Sequence, residues 1–159
     1  MSRACRVLIV EDEYFLATDL EEALRSEGAE IVGPICEFSQ ALAQVSKDGF
    51  DAAVIDINLR GQSAYPIADK LIEQRIPFVF ATGYNREVLP DRYWEVKRFE
   101  KPYDASAIAN HIVRLYCQRQ SASDKHSTPV IANRQQQPAV EHFWRRLGSL
   151  PRSDAESVI

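Results

Sequence analysis

The chain has 159 residues, 45% of them hydrophobic and 26% charged, and carries a net charge of −4. These values describe about one globular domain with a core of its own and exclude a fully disordered chain. The acidic balance argues against a general nucleic-acid or membrane-surface binder, and no apolar run approaches the ~18 residues that a membrane span needs. Met1 to Arg6 contain no apolar signal core, and Cys5, Cys36 and Cys117 are an odd count without metal-like spacing. A cytoplasmic location is therefore expected, with the thiols as small core residues.

Charge is unevenly spread along the chain. Residues 1–118 sum to −6 and residues 119–159 to +2, and the second segment holds Gln135-Gln136-Gln137, three prolines and six serines. The joint change in charge and composition predicts a domain over 1–118 followed by a polar C-terminal extension over 119–159.

The apolar run Arg6 to Val10 predicts a buried first strand. Phe15, Leu16, Leu20, Ala23 and Leu24 recur at helical spacing, with Gly28 as a stop. Ile31 to Ile35 predicts a second strand, and Leu42 and Val45 a second helix capped near Ser39. Ala52 to Ile55 predicts a third strand ending at Asp56, followed by a helix through Ile67, Ala68, Leu71 and Ile72. Phe78 to Ala81 predicts a fourth strand ended by Thr82-Gly83, and residues 85–92 a weak helix or loop. Arg98 to Glu100 predicts a fifth strand, and Ile108, Ile112, Leu115 and Tyr116 a last helix. In the extension, Phe143, Leu147 and Leu150 leave two readings open: a short amphipathic docking helix near 139–150, or a disordered tail.

Five strands alternating with five helices predict an α/β fold, a doubly wound five-stranded parallel sheet with helices on both faces. Ligands of such sheets bind outside the carboxyl ends of the strands. There the sequence places Glu11-Asp12-Glu13 after the first strand, Asp56 after the third, Thr82 after the fourth and Lys101 after the fifth. Clustered carboxylates repel, and burial raises their pKa values; a hard divalent cation with oxygen ligands, Mg²⁺, relieves both effects. An aspartate beside Mg²⁺ is able to attack a phosphoryl group, while an ammonium and a hydroxyl contact the phosphoryl oxygens.

Glu11-Asp12, Asp56, Thr82 and Lys101-Pro102, in this strand context, resemble the receiver domain of two-component response regulators over about residues 4–118. The loop Asp56-Ile57-Asn58-Leu59-Arg60-Gly61 is also similar to the family's loop after the phosphoacceptor. The resemblance implies the flavodoxin-like (βα)5 order of the sheet, with Asp56 as phosphoacceptor and metal residue and Asp12 as a direct Mg²⁺ ligand, Glu11 assisting through water. It further implies the Asn58 backbone carbonyl as a metal ligand, Thr82 as the switch hydroxyl, Lys101 as the phosphoryl contact and a cis Lys101-Pro102 peptide. Pro77-Phe78-Val79-Phe80-Ala81-Thr82-Gly83-Tyr84 resembles a single-domain subgroup with a Pro-Phe-x-Phe-Ala-Thr-Gly-Tyr signature.

The chain departs from the wider family at Arg98, where the usual switch aromatic stands. Phe99 is expected on the opposite face of its strand. Tyr84, with Gly83 leaving its backbone unobstructed, is the substitute aromatic expected to couple the site to a partner surface. The implied partners are a histidine kinase or histidine phosphotransfer protein as donor. A downstream protein would be met through the face of helix four, strand five and helix five, by a monomer or a phosphorylation-dependent dimer.

The remainder beyond residue 118 is short for a DNA-binding module, so a stand-alone switch rather than an enzyme is expected, assisting only its own phosphorylation and dephosphorylation. Two other classes compete. A haloacid-dehalogenase-type hydrolase needs Asp-x-Asp after its first strand, whereas here the nucleophile follows the third and its second neighbour is Asn58. A flavodoxin-like small-molecule binder needs a phosphate loop where Glu11-Asp12-Glu13 stands.

Overall fold

The structure, a computed structural model, describes residues 3–83 and 89–124. The chain order is β1 (Arg6–Val10), α1 (Tyr14–Ser26), β2 (Glu30–Ile35), α2 (Phe38–Val45), β3 (Ala52–Asp56), β4 (Asn58–Leu59) and β5 (Gln62–Ser63). It continues with α3 (Tyr65–Glu73), β6 (Phe78–Thr82), a 3₁₀ turn (Asp91–Tyr93), β7 (Arg98–Glu100) and α4 (Ala105–Asp124). Five parallel strands form one sheet in the order β2-β1-β3-β6-β7. Helix α4 is the last helix expected from the sequence; it runs through residue 118 to Asp124. No helix among the described residues is long and apolar enough to cross a membrane.

Strand alternation divides the core into two layers. Leu8, Val10, Ala53, Ile55, Phe78 and Phe80 point to one face and pack with Ala41 and Val45 of α2 and Ile67, Ala68 and Leu71 of α3. Val7, Ile9, Ala52, Val54, Val79 and Ala81 point to the other and pack with Leu20 and Leu24 of α1 and Ile108 and Ile112 of α4. The three central strands are buried on both faces, which is why they read as uninterrupted apolar runs. Each fully buried Leu or Ile here contributes about 1.5–3 kcal/mol. Phe99 packs on the α1/α4 face, in edge contact with His111 at 5.9 Å, so the expected alternation holds at β7.

Several local expectations are corrected. Phe15 is exposed; the buried stripe of α1 is Ala17, Leu20 and Leu24, and Phe15 lies two residues, over half a helical turn, away from it. Helix α2 starts at Phe38 with Glu37 as N-cap, so Ser39 is already helical, and the Glu37 carboxylate binds Arg60 instead of capping. Of the thiols only Cys5 is in the core; Cys36 is half-buried and Cys117 exposed.

The weak helix or loop expected over 85–92 lies outside the described residues up to residue 88. Pro90 is extended and only the turn Asp91–Tyr93 follows, because Tyr93 plunges into the core. Its ring stacks on Tyr65 at 5.1 Å and meets Phe80 edge-on at 5.4 Å, and its hydroxyl lies 2.5 Å from Asp69 Oδ1. The short β4–β5 hairpin was not foreseen. The extension from residue 125 onward, including the 139–150 segment, lies outside the described residues.

At β2 the backbone itself dictates the residue. Gly33 has φ +99°, and a Cβ there would meet the Ile9 carbonyl oxygen at 2.8 Å, where the register of β2 on β1 shifts.

Asp51 ties the start of β3 to β1. It accepts hydrogen bonds from the Arg6 backbone N–H at 2.9 Å and from Arg6 Nε at 3.3 Å. Burial opposes its charge, but the Arg6 bonds outweigh burial and hold its pKa below the ordinary 3.8. A depressed folded pKa stabilises the fold above the unfolded value, and that stabilisation is lost as pH falls through the folded one. Asp51→Asn should therefore be less stable than wild type at pH 7 by about 1–2 kcal/mol. In urea melts at stepped pH, the gap should start to close near pH 4 and vanish in stronger acid.

Candidate functional site

The order of the sheet reverses at β1, whose successor β2 lies to one side and β3 to the other. A crevice opens at such a point beyond the strand ends. Here the ends of β1 and β3 deliver Glu11, Asp12 and Asp56, with one carboxylate oxygen of each within 4.8 Å of the others. Glu11 and Asp56 are buried and Asp12 is half-buried. Asp56 pairs in register with Ala81, so Thr82 lies one residue beyond it on β6. Lys101 follows β7, with its backbone N–H donating to the Thr82 carbonyl at 2.6 Å and its bond to Pro102 cis. A cleft of about 300 Å³ opens here, lined by Asp12, Asp56, Asn58, Arg60, Gly83 and Lys101 among others.

The Lys101 ammonium is the hub of the cluster. Nζ donates to Asp56 Oδ2 at 2.9 Å, to Glu13 Oε1 at 3.0 Å and to Glu11 Oε1 at 3.1 Å. The Asn58 N–H donates to Asp56 Oδ1 at 3.0 Å, and the Glu13 N–H to Glu11 Oε1 at 3.0 Å. These bonds do not fully offset the loss of water. Burial, with the Asp56 charge adding to it, pushes Glu11 up to about 7. Burial likewise raises Asp56, against the pull of Lys101 and the Asn58 N–H. Burial also works against the Lys101 charge, but Asp56 and Glu11 hold the ammonium above its usual range.

The structure thus brings together Glu11, Asp12, Asp56 and Lys101, with Asn58 and Gly83 lining the same cleft, while Thr82 is buried at the end of β6. Tyr84 lies outside the described residues. Three contributors were not assigned a role from sequence. Glu13 reaches Lys101, which the acidic run Glu11-Asp12-Glu13 could have suggested. Arg60 binds both Asp12 and Glu37, a contact between distant loops that carries no local signal. Tyr103 is packed beside the cluster with a buried hydroxyl that lacks a hydrogen-bond partner, and burial followed by the Glu11 charge raises its pKa.

A doubly wound sheet with an acidic cluster and a lysine at its switch point defines a phosphoryl- or metal-handling α/β domain. Residues 7–112 match the family described as response regulator receiver domain, and the chain belongs to that family. Among solved structures it is similar to SdrG from Sphingomonas melonis Fr1, at 36% identity and a TM-score of 0.64, covering 74% of this chain and 99% of that one. The BeF₃-activated conformation of SdrG is similar at 37% identity and a TM-score of 0.59, covering 73% and 99%.

Among curated relatives, the sensory transduction protein LytT of Bacillus anthracis is 30% identical over 122 residues, covering 73% of this chain and 49% of LytT. The transcriptional regulatory protein PdtaR of Mycobacterium tuberculosis is 33% identical over 88 residues, covering 55% of this chain and 43% of PdtaR. The chain thus spans about half the length of these curated relatives or less. It is a receiver domain of two-component signalling.

Raised carboxylate pKa values have a cost with a definite sign. A folded pKa above the unfolded value means that the folded site binds its proton more tightly, so stability declines as pH rises through the folded value. Asp56→Asn removes one buried charge and keeps an oxygen to accept the Asn58 N–H. Its Tm should exceed that of wild type at pH 8 without divalent cations. The advantage should shrink as pH falls below 7, where a proton already relieves the wild-type cluster. Calorimetry across this range checks it.

Proposed function

We propose that this receiver is a phosphorylation switch in which Asp56 accepts a phosphoryl group from a histidine kinase or histidine phosphotransfer protein. The observation that carries the reading is the buried Asp56 carboxylate, 2.9 Å from Lys101 Nζ and clustered with Glu11 and Asp12. The similarity to a receiver solved in a BeF₃-activated form supports it. An Asp56 oxygen attacks phosphorus, the bond to the donor imidazole nitrogen breaks, and the imidazole leaves with the electron pair. Lys101, already at the strand end, exchanges carboxylate oxygens for a phosphoryl oxygen. Thr82 at the tip of β6 supplies a hydroxyl to another.

The donor set fits Mg²⁺: three carboxylates face one ammonium, all ligands are oxygen, and their spacing suits one hard cation. Asp12, Asp56 and the Asn58 carbonyl would hold it directly and Glu11 through water. When bound, the ion neutralises charge on the phosphoryl oxygens. With a small-molecule phosphodonor and Mg²⁺, wild type should gain hydroxylamine-sensitive phosphate. Asp56→Asn should gain none, and chelation should abolish uptake. Equal labelling of wild type and Asp56→Asn would sink the assignment.

The finer reading is membership of the subgroup marked by Pro77-Phe78-Val79-Phe80-Ala81-Thr82-Gly83-Tyr84. Arg98 is exposed on β7 and cannot serve as an aromatic switch, which supports Tyr84, beside Gly83, as the coupling ring. The receiver unit is taken as residues 1–118 and the remainder, 119–159, as an extension to it. Output passes through protein contacts near β7 and α4. Tyr84→Ala should take up phosphate within about twofold of wild type, a change too small to signal lost transition-state contacts. The phosphorylation-induced NMR shifts of β7 and α4 should nevertheless collapse. If uptake and response fall equally, Tyr84 only supports the site.

A further inference from the structure

The loop after Asp56 carries a conformation that its sequence does not favour. Strands β4 and β5 are joined by Arg60 and Gly61, both with positive φ, +49° and +84°. Two such residues in succession form the hairpin turn whose first position ordinarily holds Asn, Asp or Gly. An arginine there meets steric resistance from its own Cβ. The conformation is matched by three contacts. The Arg60 N–H donates to Asp12 Oδ2 at 3.1 Å. Its Nη1 donates to Glu37 Oε1 at 2.8 Å, and its Nη2 lies 3.7 Å from Cys36 Sγ. The turn is further held by the Gly61 N–H, which donates to the Asn58 side-chain oxygen at 2.8 Å.

Arg60 therefore joins three loops at the strand ends: its own, the Asp12 loop after β1 and the Glu37 segment before α2. We propose that Arg60 is a positioning residue for the cation site, its side chain clasping Glu37 so that its backbone N–H holds the Asp12 carboxylate in the ligating orientation. This rests on the reading of Glu11, Asp12 and Asp56 as the Mg²⁺ site. It separates cleanly from simple electrostatics. A positive charge on a residue that lines the same cleft as Asp12 and Asp56 repels a divalent cation, so its charge alone predicts that removing it tightens Mg²⁺ binding. The clasp predicts the opposite.

The test is calorimetric titration of Mg²⁺ alone into wild type, Arg60→Gly, Glu37→Gln and Asp12→Asn, with the Tm of each. Arg60→Gly suits the turn backbone and should keep or raise the Tm, yet bind Mg²⁺ about two- to fivefold more weakly, the scale of one exposed ion pair. In the double variant Arg60→Gly/Glu37→Gln the two losses should be less than additive, because both break one clasp. Arg60→Gly binding as tightly as wild type or tighter overturns the inference. If wild type itself binds no Mg²⁺, or Asp12→Asn binds equally well, the cation site fails instead, and the two failures are told apart.

Discussion

The Lys101 ammonium is the interaction on which the site depends. Four carboxylates stand at the ends of β1 and β3, and Lys101 touches three of them. Without it, Glu11 and Asp56 would be buried anions facing one another with only backbone N–H groups for relief. Removing the ammonium would leave these buried anions uncompensated, a change that typically costs several kcal/mol. The sheet brings it there: β7 pairs with β6 through Arg98, Phe99 and Glu100, and the next residue delivers the ammonium across β6 to β3 and β1. The fold and the site are thus one constraint, since a slip of β7 would take away the counter-ion as well as the strand.

That arrangement explains why the resting site is poised. Burial raises Glu11 and Asp56, so the cluster favours anything that brings positive charge, whether a proton or a hard cation. Under the proposed phosphorylation of Asp56, the same ammonium that quiets the carboxylates would meet a phosphoryl oxygen. Such a move from carboxylate to phosphoryl would be local, but the Lys101 backbone N–H is bonded to the Thr82 carbonyl and Lys101 follows an edge strand. A change at Lys101 would therefore act on β6 as well as β7.

Much of this was legible in the sequence, for definite reasons. Doubly buried strands leave continuous apolar runs, so Val7 to Val10, Ala52 to Ile55 and Phe78 to Ala81 announced themselves. The acids and the lysine were legible because the sheet rule says that strand ends carry chemistry. What escaped was set by long-range packing. Phe15 follows helical spacing but faces out, because the neighbour it would need is not on that side. Tyr93 follows the charged pair Asp91-Arg92 and has no role assigned from sequence, yet its ring stacks on Tyr65 and meets Phe80, where local pattern has no voice. The Arg60 turn lacks the Asn-Gly or Asp-Gly signal of its kind, since its compensation comes from Asp12 and Glu37, far away in sequence.

The sheet has two open sides, and each is guarded. At one, β7 is only three residues long and displays Arg98 and Glu100, paired at 3.4 Å. At the other, β2 breaks its register at Gly33 and continues into Pro34, which has no N–H to offer. Short, charged or proline-bearing edges discourage the addition of a foreign strand. Any protein that recognises this domain must then read side chains and strand tips rather than zip onto its backbone. Recognition of that kind can discriminate between states, because a side-chain surface changes when a few groups move, whereas a ladder of backbone hydrogen bonds would look the same before and after.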